Sequence, residues 1–141
     1  MKKLLLSLII IFNSVISALS MNYDKEWKRV DDLMDRVKLK DAQTLVEKIK
    51  NVAEKEGDNR QLLYAEIYSY AIDMGCEYSL KNKTYIHRPN NFNSKEGPQI
   101  IESHYDKSIK LLDRFGESAE KYLCQFFIAS LVEHYIGLNR N

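Results

Sequence analysis

Apolar residues recur every three or four positions through most of the chain beyond residue 21, and this period constrains the fold more than any other feature. The first stripe comprises Tyr23, Trp27, Val30, Met34 and Val37. No segment shows a serious competing alternation of apolar and polar residues, the pattern of a half-buried strand. The sequence therefore predicts an all-α fold of about five antiparallel helices, as a tetratricopeptide-like stack or a small bundle.

Capping and turn residues divide the periodic sequence into these helices. Asp41 is expected to cap the second helix and Gly57 to end it, and residues 58–61 form a capping-box pattern that opens the third. Pro98 suits the first turn of the fourth helix. The predicted helices cover about residues 23–37, 41–56, 59–78, 98–115 and 117–136. The first two together span 34 residues, the length of one tetratricopeptide pair.

Residues 1–20 have the order of a secretory signal peptide. Lys2 and Lys3 precede an apolar run from Leu4 to Phe12, and Ala18-Leu19-Ser20 places small residues where a signal peptidase cleaves. A retained membrane anchor is the alternative, but polar residues interrupt the run before it reaches about 20 apolar residues. We expect a helical domain over 21–141, exported to the periplasm or cell envelope or secreted, with no stable membrane span after cleavage.

Residues 81–97 form a long Asn-rich segment that is predicted to be a loop. Tyr85 and Phe92 lie among Lys81, Lys83 and Arg88, a small basic and aromatic patch that suits contact with nucleic acid or a partner. Ordinary loop composition explains the same residues. The formal net charge of +1, which becomes −1 without the two signal-peptide lysines, gives no reason to expect nucleic acid binding.

The last helix is predicted to be apolar around most of its circumference and therefore buried on nearly all sides. Three arrangements would bury it: a central place in a closed bundle, cover by further domains of the same polypeptide, or pairing with a second copy in a homodimer. Phe127, Leu131 and Tyr135 are the candidate contact residues of this helix.

Residues with catalytic or metal-binding chemistry are few. His87, His104 and His134 form no zinc-binding pair at helical spacing, and we expect the last two to be half-exposed. Cys76 and Cys124 could form a disulfide in an exported chain, or remain two small buried thiols. The acids Asp31, Asp32 and Asp35 suit a solvated helix face. The sequence predicts no enzyme, no cofactor and no metal.

A family resemblance is carried mainly by the run YDKEWKRVDDL at residues 23–33. It resembles the start of bacterial alpha-2-macroglobulin family proteins, where a similar run follows a signal peptide and opens a helical, tetratricopeptide-like region. Residues 40–58 and 118–135 are similar to later helices of that region.

The resemblance implies an exported, non-catalytic helical module that binds other proteins, or the remaining domains of a longer polypeptide. The family role is protease trapping, yet the macroglobulin domains, the bait region and the thioester motif are absent from this sequence. The alternative is a stand-alone structural or binding protein of the envelope, dimeric through its last helix.

Overall fold

The computed structural model describes residues 21–75, 77–79, 84–86 and 96–138. In that part of the chain it has five helices and a short antiparallel ribbon, and the all-α prediction is confirmed. The elements are α1 (Tyr23–Asp35), α2 (Leu39–Glu56), α3 (Asn59–Met74), β1 (Glu77–Ser79), β2 (Thr84–Ile86), α4 (Gly97–Leu112) and α5 (Ala119–Leu138). The predicted signal peptide and most of the predicted loop 81–97 lie outside the described residues.

The ribbon is the one element type that the sequence does not predict. Glu77 pairs with Ile86 and Ser79 with Thr84, so part of the predicted loop is a strand. Each strand has three residues, which is too few for alternation to be recognised in the sequence. The first strand packs against α1 and α3.

Contacts between helix ends establish the directions of the helices. Tyr23, at the start of α1, donates a hydrogen bond to Glu56 at the end of α2, 2.5 Å away. Arg60, near the start of α3, pairs with Glu120 near the start of α5. Asn59, at the start of α3, lies beside the carbonyl of Arg114, just beyond α4. Sequence neighbours are therefore antiparallel, and each helix packs on the next.

Local backbone chemistry explains where the helices begin and end. The Asp58 carboxylate accepts from the Gln61 backbone N–H at 3.2 Å, so the predicted cap of α3 is confirmed. Gly57 and Gly75 both adopt left-handed φ values, 69° and 66°, and end α2 and α3. The predicted extension of α3 to Tyr78 is wrong, because Gly75 turns the chain after Met74.

Two further expectations for the first two helices are corrected. Helix α2 begins at Leu39, two residues before the predicted cap, so Asp41 lies in its first turn, where a carboxylate favours the positive helix end. Val37 does not belong to the buried stripe of α1. It takes a left-handed φ of 57° in the link to α2 and is 78% exposed.

Two apolar cores share α3. One core joins α1, α2 and α3 around Trp27, Val46 and Tyr68. The other joins α3, α4 and α5 around Leu63, Ile101 and Leu131. Ten of the 16 residues of α3 are buried. Helix α3 is therefore the central helix of this part of the molecule.

Candidate interaction site

Helix α5 is buried on one side only. Its buried residues are Cys124, Phe127, Leu131 and His134, which face the core shared with α3 and α4. Its opposite sides expose large apolar side chains, which we call the open face of α5: Tyr122, Phe126, Val132, Tyr135 and Ile136. The prediction that α5 is buried on nearly all sides is therefore wrong for the described chain, and so is the alternative that placed it at the centre of a bundle. The reason is that Tyr122 and Phe126, 63% and 68% exposed, lie on the side of α5 that turns away from this core.

The sequence-predicted contact residues fall into three groups. Phe127 and Leu131 are 3% and 0% exposed, so their assignment to a contact surface is wrong because they pack inside the α3–α4–α5 core. Tyr135 does lie on the open face of α5. Tyr85 lies on β2, opposite Tyr78, and nothing is described of its side chain. Phe92 lies outside the described residues.

A groove of about 310 Å³ runs between α4 and α5, and we call it the α4–α5 groove. Its deepest residues are the buried Ile101 and Leu131. The described residues that line it are Ile101, Glu102, Tyr105, Asp106, Leu131, Val132 and Tyr135. Since the deepest residues are apolar and the others are more exposed, the groove offers a hydrophobic floor with polar groups at its edge.

The charged residues in the described lining of the groove are both acidic. Glu102 and Asp106 are one helical turn apart on α4, and both are exposed. Neither carboxylate forms an ion pair with a residue that the structure describes. The groove therefore presents an acidic edge along one side of an apolar floor.

A buried polar cluster lies next to this groove, in the core between α3 and α4. His104, only 1% exposed, contacts Glu66 through Nδ1 at 2.6 Å and Asp73 through Nε2 at 2.9 Å. Glu66 and Asp73 lie on α3, seven positions apart on one face of the helix. The predicted half-exposure of His104 is wrong, because both ring nitrogens are occupied by these carboxylates and the ring is enclosed.

Competing effects act on the protonation of His104. Burial lowers its pKa, whereas the hydrogen bonds with Asp73 and Glu66 and the charge of Glu66 raise it, and Lys107 lowers it slightly. The net pKa lies above the ordinary histidine value. Because ionised carboxylates only accept, the ring can donate to both of them at once only when it is protonated. In that form it acts as a clamp that ties α4 to α3 through two charge-assisted hydrogen bonds.

The second buried histidine joins α5 to the same core. His134 is 5% exposed, so its predicted half-exposure is also wrong, and its Nδ1 lies 2.5 Å from the Tyr70 hydroxyl. The Tyr70 ring packs edge-on against His104 and against Phe127. Tyr70 on α3 therefore links the clamp on α4 to the buried side of α5.

The thiol of Cys124 is free and buried in this core, where it lies 3.6 Å from the carbonyl of Ser108. Burial, with a smaller effect of Glu66, raises its pKa to about 11. Such a thiol is a poor nucleophile near neutral pH. The other member of the predicted pair, Cys76, lies outside the described residues.

Neither metal binding nor a membrane span is indicated in the described part of the chain. No group of three or more His, Cys, Asp or Glu is placed there to hold a metal ion. None of the helices described is long and apolar enough to cross a bilayer. No family model matches the chain, and no curated protein or solved structure matches it either.

Sequence reasoning missed the acidic side of the groove. Glu102, Tyr105, Asp106 and Ile109 follow the spacing i, i+3, i+4 and i+7, the signature of one helix face. This stripe lies beside the buried stripe of Ile101, His104, Ser108 and Leu111. The signal available in the sequence was therefore Tyr105 and Ile109, two apolar residues in a stripe next to the one that faces the core. Such a stripe indicates a second contact surface on α4.

Proposed function

We propose that this chain is an exported, non-catalytic helical module that binds other proteins through the open face of α5. The observation that carries the proposal is the exposure of large apolar residues on that face, with Tyr122 63% and Phe126 68% exposed. Contiguous apolar patches of this kind on a folded domain mark interaction sites. The large, well-formed core beneath the face supports a stable docking platform.

The resemblance of residues 23–33 to the start of bacterial alpha-2-macroglobulin family proteins supports the same proposal. In that family the region is a helical leader and not the part that traps proteases. The antiparallel packing of successive helices is compatible with a tetratricopeptide-like stack, whose units bury apolar faces against their neighbours. We therefore propose a docking or spacing role, within the periplasm or cell envelope.

A stand-alone envelope protein that dimerises through α5 is the second candidate function. The same observation favours it, because a homodimer would cover the open face of α5 with its own copy. The two candidates predict different partners at Phe126. The interaction module contacts a different protein there, and the homodimer contacts a second copy of this chain.

Site-specific photo-crosslinking in the cells that make the protein distinguishes these functions. A photoreactive amino acid replaces Phe126 in one variant and Lys48, an exposed residue on α2, in the matched control. We expect an adduct with a different protein from position 126 and none from position 48. An adduct of two identical chains would support the homodimer instead.

Two results would overturn the proposal. One is the absence of any adduct from position 126, or equal adducts from both positions. The other concerns export: fractionation is expected to place the protein outside the cytoplasm in a form shortened by the predicted signal peptide. Unshortened protein confined to the cytoplasm would contradict export.

A further inference from the structure

The walls of the α4–α5 groove have the geometry of two parallel helix ridges. Tyr105 is exposed on the α4 side beside Glu102 and Asp106, and Val132 and Tyr135 are exposed at i and i+3 on the α5 side. The lining covers residues 101–106 of α4 and 131–135 of α5, which is about 7 Å along each helix. A third helix packs on two neighbouring helices by laying its own side-chain ridge into the groove between theirs.

The acidic edge of the groove carries an unfavourable arrangement. Glu102 and Asp106 are like charges at i and i+4, which destabilises a helix by a few tenths of a kcal/mol. None of the described residues that line the groove is basic, and none of the described residues forms an ion pair with either carboxylate. A bound segment with Lys or Arg at this edge would convert the repulsion into attraction.

From these two observations we propose that the α4–α5 groove binds an amphipathic helix of a partner protein, with Lys or Arg beside its apolar stripe. The apolar stripe lies over Ile101, Leu131 and Val132, and the basic residues meet Glu102 and Asp106. This is the helix-in-groove mode of recognition, in which apolar anchors give affinity and charges give specificity. It rests on the proposed function, since it names the partner chemistry for an interaction module.

A second copy of the chain is a poorer occupant of this groove. In a two-fold symmetric dimer the same surface patch lies on both sides of the interface. Groove against groove would then bring the acidic pair of one copy towards that of the other, which adds like-charge repulsion. The charge of the edge therefore favours a basic partner over self-association at this site.

Binding of two idealised peptides to the full chain tests the proposal. Each peptide has about 18 residues, five helical turns, with a leucine stripe at helical spacing. One carries Lys beside the stripe and the other carries Glu at the same positions. Fluorescence anisotropy is expected to show about tenfold tighter binding of the Lys peptide, with a difference that shrinks as salt is added.

Matched double variants assign the binding to the groove. Glu102→Gln with Asp106→Asn removes two exposed charges from the groove and is expected to weaken Lys-peptide binding by about threefold to tenfold. Asp32→Asn with Asp35→Asn removes two exposed charges from α1 and is expected to leave binding unchanged. Val132→Gln, in the wall of the groove, is expected to weaken the binding of both peptides. Circular dichroism confirms that each variant is folded.

Three other results would contradict the proposal that the groove binds a basic amphipathic helix. Equal binding of the two peptides, or equal losses in the two double variants, would overturn the basic-helix proposal. Absence of peptide binding by the parent chain would overturn it as well. If position 126 still crosslinks to a partner protein in these cases, the proposed function stands and only the partner chemistry is wrong.

Discussion

Helices α3 and α5 are both apolar around most of their circumference, but they occupy opposite kinds of environment. Ten residues of α3 are buried, and its inward polar groups have partners: Glu66 contacts His104, and Tyr70 contacts His134. Only four residues of α5 are buried, and its large apolar side chains remain on the open face. An apolar circumference therefore indicates that a helix favours neighbours on all sides, without showing that the same chain supplies them.

The two environments have different physical consequences. Around α3 the apolar surface is already removed from water and contributes to folding. On the open face of α5 and in the α4–α5 groove the corresponding surface stays in water, so its burial can contribute to binding instead. Substitutions that damage the surroundings of α3 should therefore affect stability, and substitutions on the open face of α5 should affect association.

Replacing the buried histidine should have the largest effect on stability. His104→Leu would leave the Glu66 carboxylate buried without its partner, and we expect a loss of about 3–5 kcal/mol in the free energy of unfolding. Denaturant titration followed by circular dichroism measures this loss. If the histidine is an ion-pair clamp, adding Glu66→Leu to His104→Leu should restore much of the stability, because no unpaired charge then remains.

Asp73→Asn is the matched control for the clamp. The Asp73 side chain is 44% exposed, so its contact with His104 is screened by solvent, and we expect a loss of at most about 1 kcal/mol. Equal losses for His104→Leu and Asp73→Asn would contradict the buried clamp between α3 and α4.

The sequence predicts the helical architecture because its signals are local. Each signal lies within a few residues of the helix or helix end that it determines. Examples are the stripe that contains Trp27, the cap at Asp58 and the helix end at Gly57. The clamp was not predictable by such signals. His104 lies 38 positions from Glu66, so no local pattern connects the two residues. A histidine within an apolar stripe is as typical of a half-exposed position at the edge of a buried face as of a buried ion pair.

The open face of α5 was predicted in part for a related reason. Periodicity identified α5 as unusually apolar and named Tyr135, which is exposed. It could not tell which side faces the core, because apolar residues occur all round the helix, and so it also named the buried Phe127 and Leu131. Only packing against α3 and α4 distinguishes the two sides.

A pair of core and surface truncations compares the two helices directly. Leu63 on α3 is fully buried, and Leu63→Ala should cost about 2–5 kcal/mol in the free energy of unfolding through the cavity that it leaves. Phe126 on α5 is mostly exposed, and Phe126→Ala should change stability by no more than about 0.5 kcal/mol. Thermal or denaturant unfolding of the purified chain measures both.

The outcome for Phe126 also reports on the state of the open face in solution. A cost for Phe126→Ala comparable to that for Leu63→Ala, with stability that rises with protein concentration, would mean that a second copy covers α5. Such a result would break the contrast between α3 and α5.

The last prediction is a pH dependence of stability that arises from His104. Its pKa in the folded chain lies above the ordinary value of about 6.5, so the folded state holds the proton more tightly than the unfolded state. The clamp therefore contributes fully below about pH 6.5, and its contribution is lost as the pH rises through the folded pKa. One proton limits the slope to about 1.4 kcal/mol per pH unit.

Denaturant titrations between about pH 6.5 and 7.5 measure this slope where an unfolded cysteine thiol, with a pKa of about 8.5, is still mostly protonated. The groups that act on His104 are Glu66 and Asp73 on α3 and Lys107 on α4. Asp73→Asn removes one hydrogen bond that raises the His104 pKa, so the variant should lose less stability over this range than the parent chain. Other histidines are the same in both chains, and the difference between the two curves therefore belongs to the clamp. Parallel curves would show that His104 does not hold its proton through Asp73, and that α4 is tied to the central helix by packing and Glu66 alone.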